Sequence, residues 1–286
     1  MKGLGIALAA FFMTSCFTLS SQTLPIKHGL IAFWDFSEEM GEPRKSMTNS
    51  KNKSYYLLEG NGGIPKVNED PINGTSAAIQ DGSWFFIPRD SLGELNIFGK
   101  DAQVTVVAWV KKESPKSWQA IAGVWDESRS KRQFYMFLNA HSKTHYNEMV
   151  RYPAQGLLHG HISATGGKSP DREAWISYSS SGEPVPDNQW NCIAITYDGK
   201  HIKSYINGKL SAAEFSNPFP YNHGIFDGGE DGADFTVGAN SVSGKMTNQF
   251  IGKISGLAVF DTALSNKDIT YLNKFGISVK AEDEDF

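Results

Sequence analysis

Apolar and polar residues alternate along this chain in short runs, and Gly, Asn, Asp and Pro separate the runs. Many short strands punctuated in this way predict a β-sandwich or barrel. The clearest run is Gln103 to Val110, QVTVVAWV. It puts Val104, Val106 and Ala108 on one face and Thr105, Val107 and Trp109 on the other. Two apolar faces predict a central strand covered on both sides. Further strands are predicted at Gly29 to Phe36, Gln133 to Leu138, Leu158 to Ser163, Trp175 to Ser179, Phe235 to Gly238 and Lys253 to Phe260. Another runs from Ala77 to Ile87 and is broken around Asp81-Gly82. Asn191 to Tyr197 and His201 to Ile206 read as two arms of a three-strand meander. Its turns are Asp198-Gly199 and Asn207-Gly208, dipeptides that accept positive φ. Asn139 to Gly156 and Ala164 to Glu173 read as long polar loops. One helix is predicted, capped by Ser265 with Asp268 three residues on, and ended by Gly276. The expected fold class is all-β, an antiparallel two-sheet sandwich with one short C-terminal helix.

The first residues change the picture of where this fold resides. Lys2 supplies a positive charge, and Gly3 to Ser15 is an apolar run too short to span a bilayer comfortably. Residues 1–21 are therefore expected to be a signal peptide, with one domain over 22–280 and an acidic tail at 281–286. Met13-Thr14-Ser15-Cys16 resembles a loose lipobox with Cys16 as the lipidated residue. Cleavage before Gln22 is the alternative, and both stay open. The expected location is outside the cytoplasm of a bacterium, either secreted, periplasmic or lipid-anchored at the surface. No second apolar run reaches membrane length. Cys192 is then the one thiol of the mature chain, and its place in a strand predicts a buried small hydrophobe. A net charge of −4 argues against nucleic acid as a partner.

Three blocks carry a family resemblance. The first is Gly29-Leu30-Ile31-Ala32-Phe33-Trp34-Asp35-Phe36. The second runs from Trp190 through Thr196-Tyr197-Asp198-Gly199 to Tyr205-Ile206-Asn207-Gly208. The third runs from Phe250-Ile251-Gly252 to Val259-Phe260-Asp261-Thr262-Ala263-Leu264-Ser265. In this order they resemble the laminin-G-like jelly-roll domain of the concanavalin A-like lectin/glucanase superfamily. The resemblance implies a jelly roll with a ligand groove on the concave sheet face. It also implies a structural calcium joining the first and last strands, for which Asp35 and Asp261 occupy matching places. A narrower likeness covers Leu158-His159-Gly160-His161-Ile162-Ser163 with Gly166-Gly167 and Pro170, and implies no activity.

The candidate chemistry lies near that segment. His159 and His161, two apart on a strand, point to one face. Arg132, Arg151, Trp175 and Tyr178 are candidates to join them from neighbouring strands and loops. Aromatic faces stack on sugar C–H groups, and Arg forks a carboxylate or sulfate. The expected function is therefore binding of a polysaccharide or glycan, with an acidic one favoured. Enzymatic readings stay open beside it. A His base, a Tyr acid and an Arg would suffice for a polysaccharide lyase. A retaining glycosidase needs two carboxylates about 5 Å apart, and no Glu-x-Asp-x-Glu is present. A protein-adhesion role is the third reading. The Asp227 to Asp234 segment is a further calcium candidate.

Overall fold

In the computed structural model the described residues are 28–48, 54–72, 74–116, 118–139, 156–170 and 177–277. Their first strands are β1 Leu30–Trp34, β2 Arg44–Lys45, β3 Tyr56–Glu59, β4 Lys66–Val67, β5 Ser76–Ile79 and β6 Phe85–Ile87. The middle of the chain contributes β7 Val104–Lys112, β8 Gln119–Asp126, β9 Lys131–Asn139, β10 Leu157–Ile162, β11 Tyr178–Pro184 and β12 Trp190–Tyr197. The last strands are β13 His201–Ile206, β14 Lys209–Leu210, β15 Phe219–Pro220, β16 Phe235–Val237, β17 Asn240–Val242, β18 Lys245–Thr247 and β19 Gly252–Phe260. Helix α1, Asn266–Phe275, follows them.

Two sheets result. The first has the order β14-β13-β12-β7-β19-β5-β4, with β1 also on β19 and β15 on β13. The second has the order β11-β10-β9-β8-β16-β6-β3-β2, with β17 on β8. Their inner faces share one core. The first sheet supplies Val104, Val106, Ile193, Ile195 and Leu257, and the second supplies Phe85, Val124, Phe134, Met136 and Leu158. β7 is central, paired to β12 on one side and β19 on the other, as its two apolar faces predict. Its outward Val107 and Trp109 pack with Ile269 and Leu272 of α1. The helix carries the expected capping box between Ser265 and Asp268, and Gly276 follows it at φ 66°.

Several elements depart from expectation in instructive ways. The Ala77 to Ile87 run is two strands in different sheets, β5 and β6, because the chain changes sheet at the Gln80–Ser83 turn. The Asn207-Gly208 turn has both residues at positive φ, 49° and 79°, as a two-residue hairpin of this kind requires. The preceding turn is displaced by one residue. Asp198 N–H donates to the His201 carbonyl, so Gly199-Lys200 forms the tip. The Asp198 carboxylate stays outside the tip to accept from the Lys200 and His201 N–H groups at 2.9 and 2.6 Å. β11 is shifted toward Pro184 relative to the expected Trp175 to Ser179, whose first part lies outside the described residues. Residues 1–21, Cys16 and the tail also lie outside them.

A charge bridge crosses the outer surface of the first sheet. Lys111 of β7 and Lys253 of β19 are directly opposed, a repulsive pair on its own. Glu69 accepts from both ammonium groups, at 2.5 and 2.6 Å. Those two hydrogen bonds, Lys111 first, hold its carboxyl down at about 2. A depressed carboxyl stabilises the fold above its unfolded pKa of about 4.3, and that contribution is lost as pH falls toward 2. Solvent screening keeps the effect small at neutral pH. Glu69→Gln is expected to lower the melting temperature slightly at pH 7 and to flatten its fall between about pH 5 and 2. Melting curves that fall in parallel over this range contradict the bridge. Burial under α1 pushes the Cys192 thiol up to about 12. A thiol so protonated is a poor nucleophile. Iodoacetamide should leave the Cys192 peptide unmodified in the native protein and alkylate it in denaturant. Rapid native alkylation contradicts this.

Candidate functional site

The outer face of the second sheet is not polar. On β9, Phe134, Met136 and Leu138 face the core, so Tyr135 and Phe137 must face outward. On β10, Leu158 and Ile162 face the core, so His159 and His161 project beside them. The register sets His159 opposite Phe137 and His161 opposite both Tyr135 and, on β11, Tyr178. Gly160 between the histidines lets β10 approach the first sheet. A Cβ there meets Ile195 Cγ2 at 2.9 Å and Ser179 Oγ at 3.0 Å.

The rings form one cluster. Tyr178 stacks on His159 at 4.8 Å and on His161 at 4.7 Å, with interplanar angles of 9° and 18°. Phe137 meets His161 edge-on at 5.0 Å and stacks on Tyr135 at 4.4 Å. Trp125 closes one side, 5.5 Å from His161. Trp118 lies over the other, edge-on to His159, His161 and Phe137 at 6.2 to 6.3 Å. Trp118 has φ 54°, a left-handed backbone that is an outlier for so bulky a residue. Strain of this sort concentrates where a side chain must be held in one place.

Arg132 enters from the end of β9. Its guanidinium lies 5.8 Å over the Trp125 ring and donates to the Gly166 carbonyl at 3.1 Å. Glu127 sits beside both, accepting from Trp125 Nε1 at 3.4 Å. Burial pushes the Glu127 carboxyl up, and the Arg132 charge partly opposes it. Burial also lowers the Arg132 guanidinium, against the pull of Glu127.

Four of the six residues expected at a binding face therefore converge: His159, His161 and Tyr178 directly, and Arg132 through Trp125. Arg151 and Trp175 lie outside the described residues. The four are not an open patch. His159 is 0 % exposed, His161 9 %, Arg132 2 % and Tyr178 3 %. Trp118, half-buried, is the ring of the cluster that reaches solvent. Tyr135 and Phe137 join the cluster without having been singled out. Their signal was a run, FYMFL, apolar on both faces and so covered on both.

The metal expectations meet a different geometry. Leu30 pairs with Phe260 and Trp34 with Leu257, so Asp261 lies beside Gly29 and Asp35 lies at the far end of β1. The whole of five-residue β1, roughly 20 Å from Gly29 to Asp35, separates the two aspartates. Antiparallel pairing thus keeps Asp35 and Asp261 from sharing one calcium ion, and the Asp35 carboxylate accepts from its own neighbour Ser37 N–H. The Asp227 to Asp234 loop is filled by cations of the chain. Arg89 donates to the Gly229 carbonyl, Arg129 to those of Asp231 and Gly232, and Lys131 to that of Gly228. Among the described residues no group of three His, Cys, Asp or Glu side chains is placed to hold a metal ion.

Comparison with known proteins agrees with this architecture. The profile described as the concanavalin A-like lectin/glucanases superfamily, Laminin_G_3, matches residues 82–270. No curated protein sequence matches. Among solved structures, domain 4 of a GH43 extracellular arabinanase from Geobacillus stearothermophilus, in complex with arabinotriose, superposes with a TM-score of 0.55 at 19 % identity. That superposition covers 85 % of this chain and 98 % of the arabinanase domain. The CBM40 of a Ruminococcus gnavus IT-sialidase, bound to α2,3-sialyllactose, has a TM-score of 0.49 at 17 % identity, over 69 % of this chain and 96 % of its own. With a matching profile over residues 82–270 and the expected two antiparallel sheets, the chain belongs to the Laminin_G_3 family of the concanavalin A-like lectin/glucanase superfamily.

Proposed function

We propose that this chain is an exported bacterial carbohydrate-binding protein whose glycan rests on the outer face of the second sheet. The observation that carries the reading is the ring cluster crowned by Trp118. A tryptophan fixed edge-on over two imidazoles and a phenylalanine offers a rigid platform to the C–H face of a sugar. Such a ring loses little conformational freedom on binding. The arabinanase domain of the same fold was solved with arabinotriose, which supports a glycan as the ligand class. Export is proposed from the leader at 1–21, with Cys16 either lipidated or removed by cleavage before Gln22. A polysaccharide lyase on the same face takes second place. A general base must reach the substrate proton, and the His159 imidazole is packed between Tyr178 and Trp118.

Affinity electrophoresis through gels containing arabinan, a neutral glucan or a polyuronate tests the reading. At least one polysaccharide should retard the protein without yielding an ultraviolet-absorbing unsaturated product. Trp118→Ala should weaken that retardation about tenfold, the size of one lost stacking contact, and leave the melting temperature nearly unchanged. Tyr135→Phe provides the contrast. The Tyr135 hydroxyl is buried and bonded to Thr236 Oγ1 and the Ala239 carbonyl, both at 3.0 Å. Its loss should cost about 1–2 kcal/mol in chemical unfolding with retardation intact. Retardation indifferent to Trp118→Ala overturns the assignment of the face, and appearance of unsaturated uronate overturns the non-catalytic reading.

A further inference from the structure

A cavity lies at the end of the sandwich where β13 begins, lined by none of the residues of the ring cluster. It has a volume of about 470 Å³ and is lined by Lys100, Asp101, Lys200, His201, Tyr221 and Asn222. That volume falls in the range of small-ligand sites. Its walls are fixed by backbone bonds. His201 pairs with Pro220 of β15, and Tyr221 N–H donates to the Lys200 carbonyl at 2.7 Å. The segment carrying Lys100 is clamped by two bonds of 2.9 Å between Gly99 and Ile225. Tyr221 forms a rigid floor. Its hydroxyl accepts from Ala164 N–H at 2.8 Å, and burial pushes its phenol up to about 12.

The charges in this cavity are unbalanced. Lys66, Lys111, Lys112, Lys116, Lys203 and Lys253 each sit within an ion pair. Among the described residues, neither Lys100 nor Lys200 does. Asp198, the carboxylate nearest Lys200 in sequence, is already engaged by Lys203 and by two backbone N–H groups. Asp101 is the one carboxylate in the lining. Lys100 and Lys200 thus outnumber the one carboxylate of the lining, while His201 Nδ1 lies 3.9 Å from Asp198, in a protein whose net charge is −4. A local positive cavity on an acidic molecule selects anions by position, because the overall field repels them.

We propose that this cavity binds the sulfate or carboxylate group of an anionic sugar, as a site separate from the Trp118 face. Lys100 and Lys200 take the anion, while Asn222 and Asp101 are available to sugar hydroxyls. The proposal rests on the glycan reading only in naming a sugar as the carrier of the charge. It also relocates the expected preference for acidic glycans, since the buried Arg132 is committed to backbone carbonyls.

Calorimetric titration of the whole chain with a chondroitin sulfate tetrasaccharide, against neutral cellotetraose, tests it. The sulfated probe should bind, and the double variant Lys100→Gln/Lys200→Gln should lose about tenfold in affinity for it. A control pair of equal charge, Lys245→Gln/Lys267→Gln, should change it less than about twofold. All four lysines are exposed, so both variants should fold. Unchanged affinity in the cavity variant, or an equal loss in the control pair, overturns the proposal. The two sites fail separately. Loss of binding with Trp118→Ala but not with the lysine variant removes the cavity and leaves the aromatic face. Binding of the sulfated probe that needs the lysines and ignores Trp118 supports the cavity, and the aromatic face then stands or falls on polysaccharide retardation with Trp118→Ala.

Discussion

The two sheets are locked together by aromatic packing across the sandwich, and the position of everything else follows from that contact. Trp34 of β1 stacks on Phe235 of β16, from the opposite sheet, at 5.8 Å and 27°. Its indole N–H also donates to the Tyr55 carbonyl at 3.3 Å. Trp34 thus ties the edge strand of one sheet to the middle of the other. A ring of this size buries more apolar surface than any aliphatic residue, so few contacts do more to set the spacing between sheets. Antiparallel sheets commonly leave one face to water. Here both sheets bury much of their outer faces. The first is covered over part of its width by α1 through Ile269 and Leu272, the Lys111–Glu69–Lys253 bridge staying at the solvent, and the second carries Trp125, Tyr135 and Phe137 buried on its outer side. The ring cluster is therefore an extension of the packing logic of the fold, placed where β8 to β11 lie side by side.

The parts of this fold that were legible in the sequence are those whose local chemistry leaves one solution. The Asn207-Gly208 turn, the capping box at Ser265 and the doubly apolar β7 each depend on a few adjacent residues. β8 was harder to see as a strand of its own. Ala120, Ala122 and Gly123 blunt its alternation, and its pairing with β9 is interrupted by two register shifts. In β11, Tyr178 is followed by Ser179, Ser180, Ser181, Gly182 and Glu183, so its periodicity carries no apolar signal.

The site was legible in kind and not in exposure. That His159 and His161 share a face follows from strand geometry alone. That Tyr178 lies flat against both depends on the β10–β11 register, which a single sequence does not contain. Burial was less legible still, because it depends on what packs above the face. The separation of Asp35 from Asp261 was hidden in the same way. Asp35 and Asp261 both flank the β1–β19 pair, yet antiparallel pairing sends them to opposite ends. The acidic loop at Asp227 to Asp234 receives Arg89, Arg129 and Lys131 on its backbone carbonyls, from side chains 140, 102 and 97 residues away in sequence. Electrostatic partners at that separation leave no local trace.

Carbon-resolved nuclear magnetic resonance of the histidine and tryptophan rings during glycan titration examines the central claim most directly. With the polysaccharide fragment that retards the protein best, the Trp118 indole resonances should move first and furthest. His159 and His161 should follow through the rings they touch, while Trp34 and Trp109 in the core stay still. Saturable binding that shifts other parts of the molecule and leaves Trp118 unmoved would contradict a glycan site on the outer face of the second sheet.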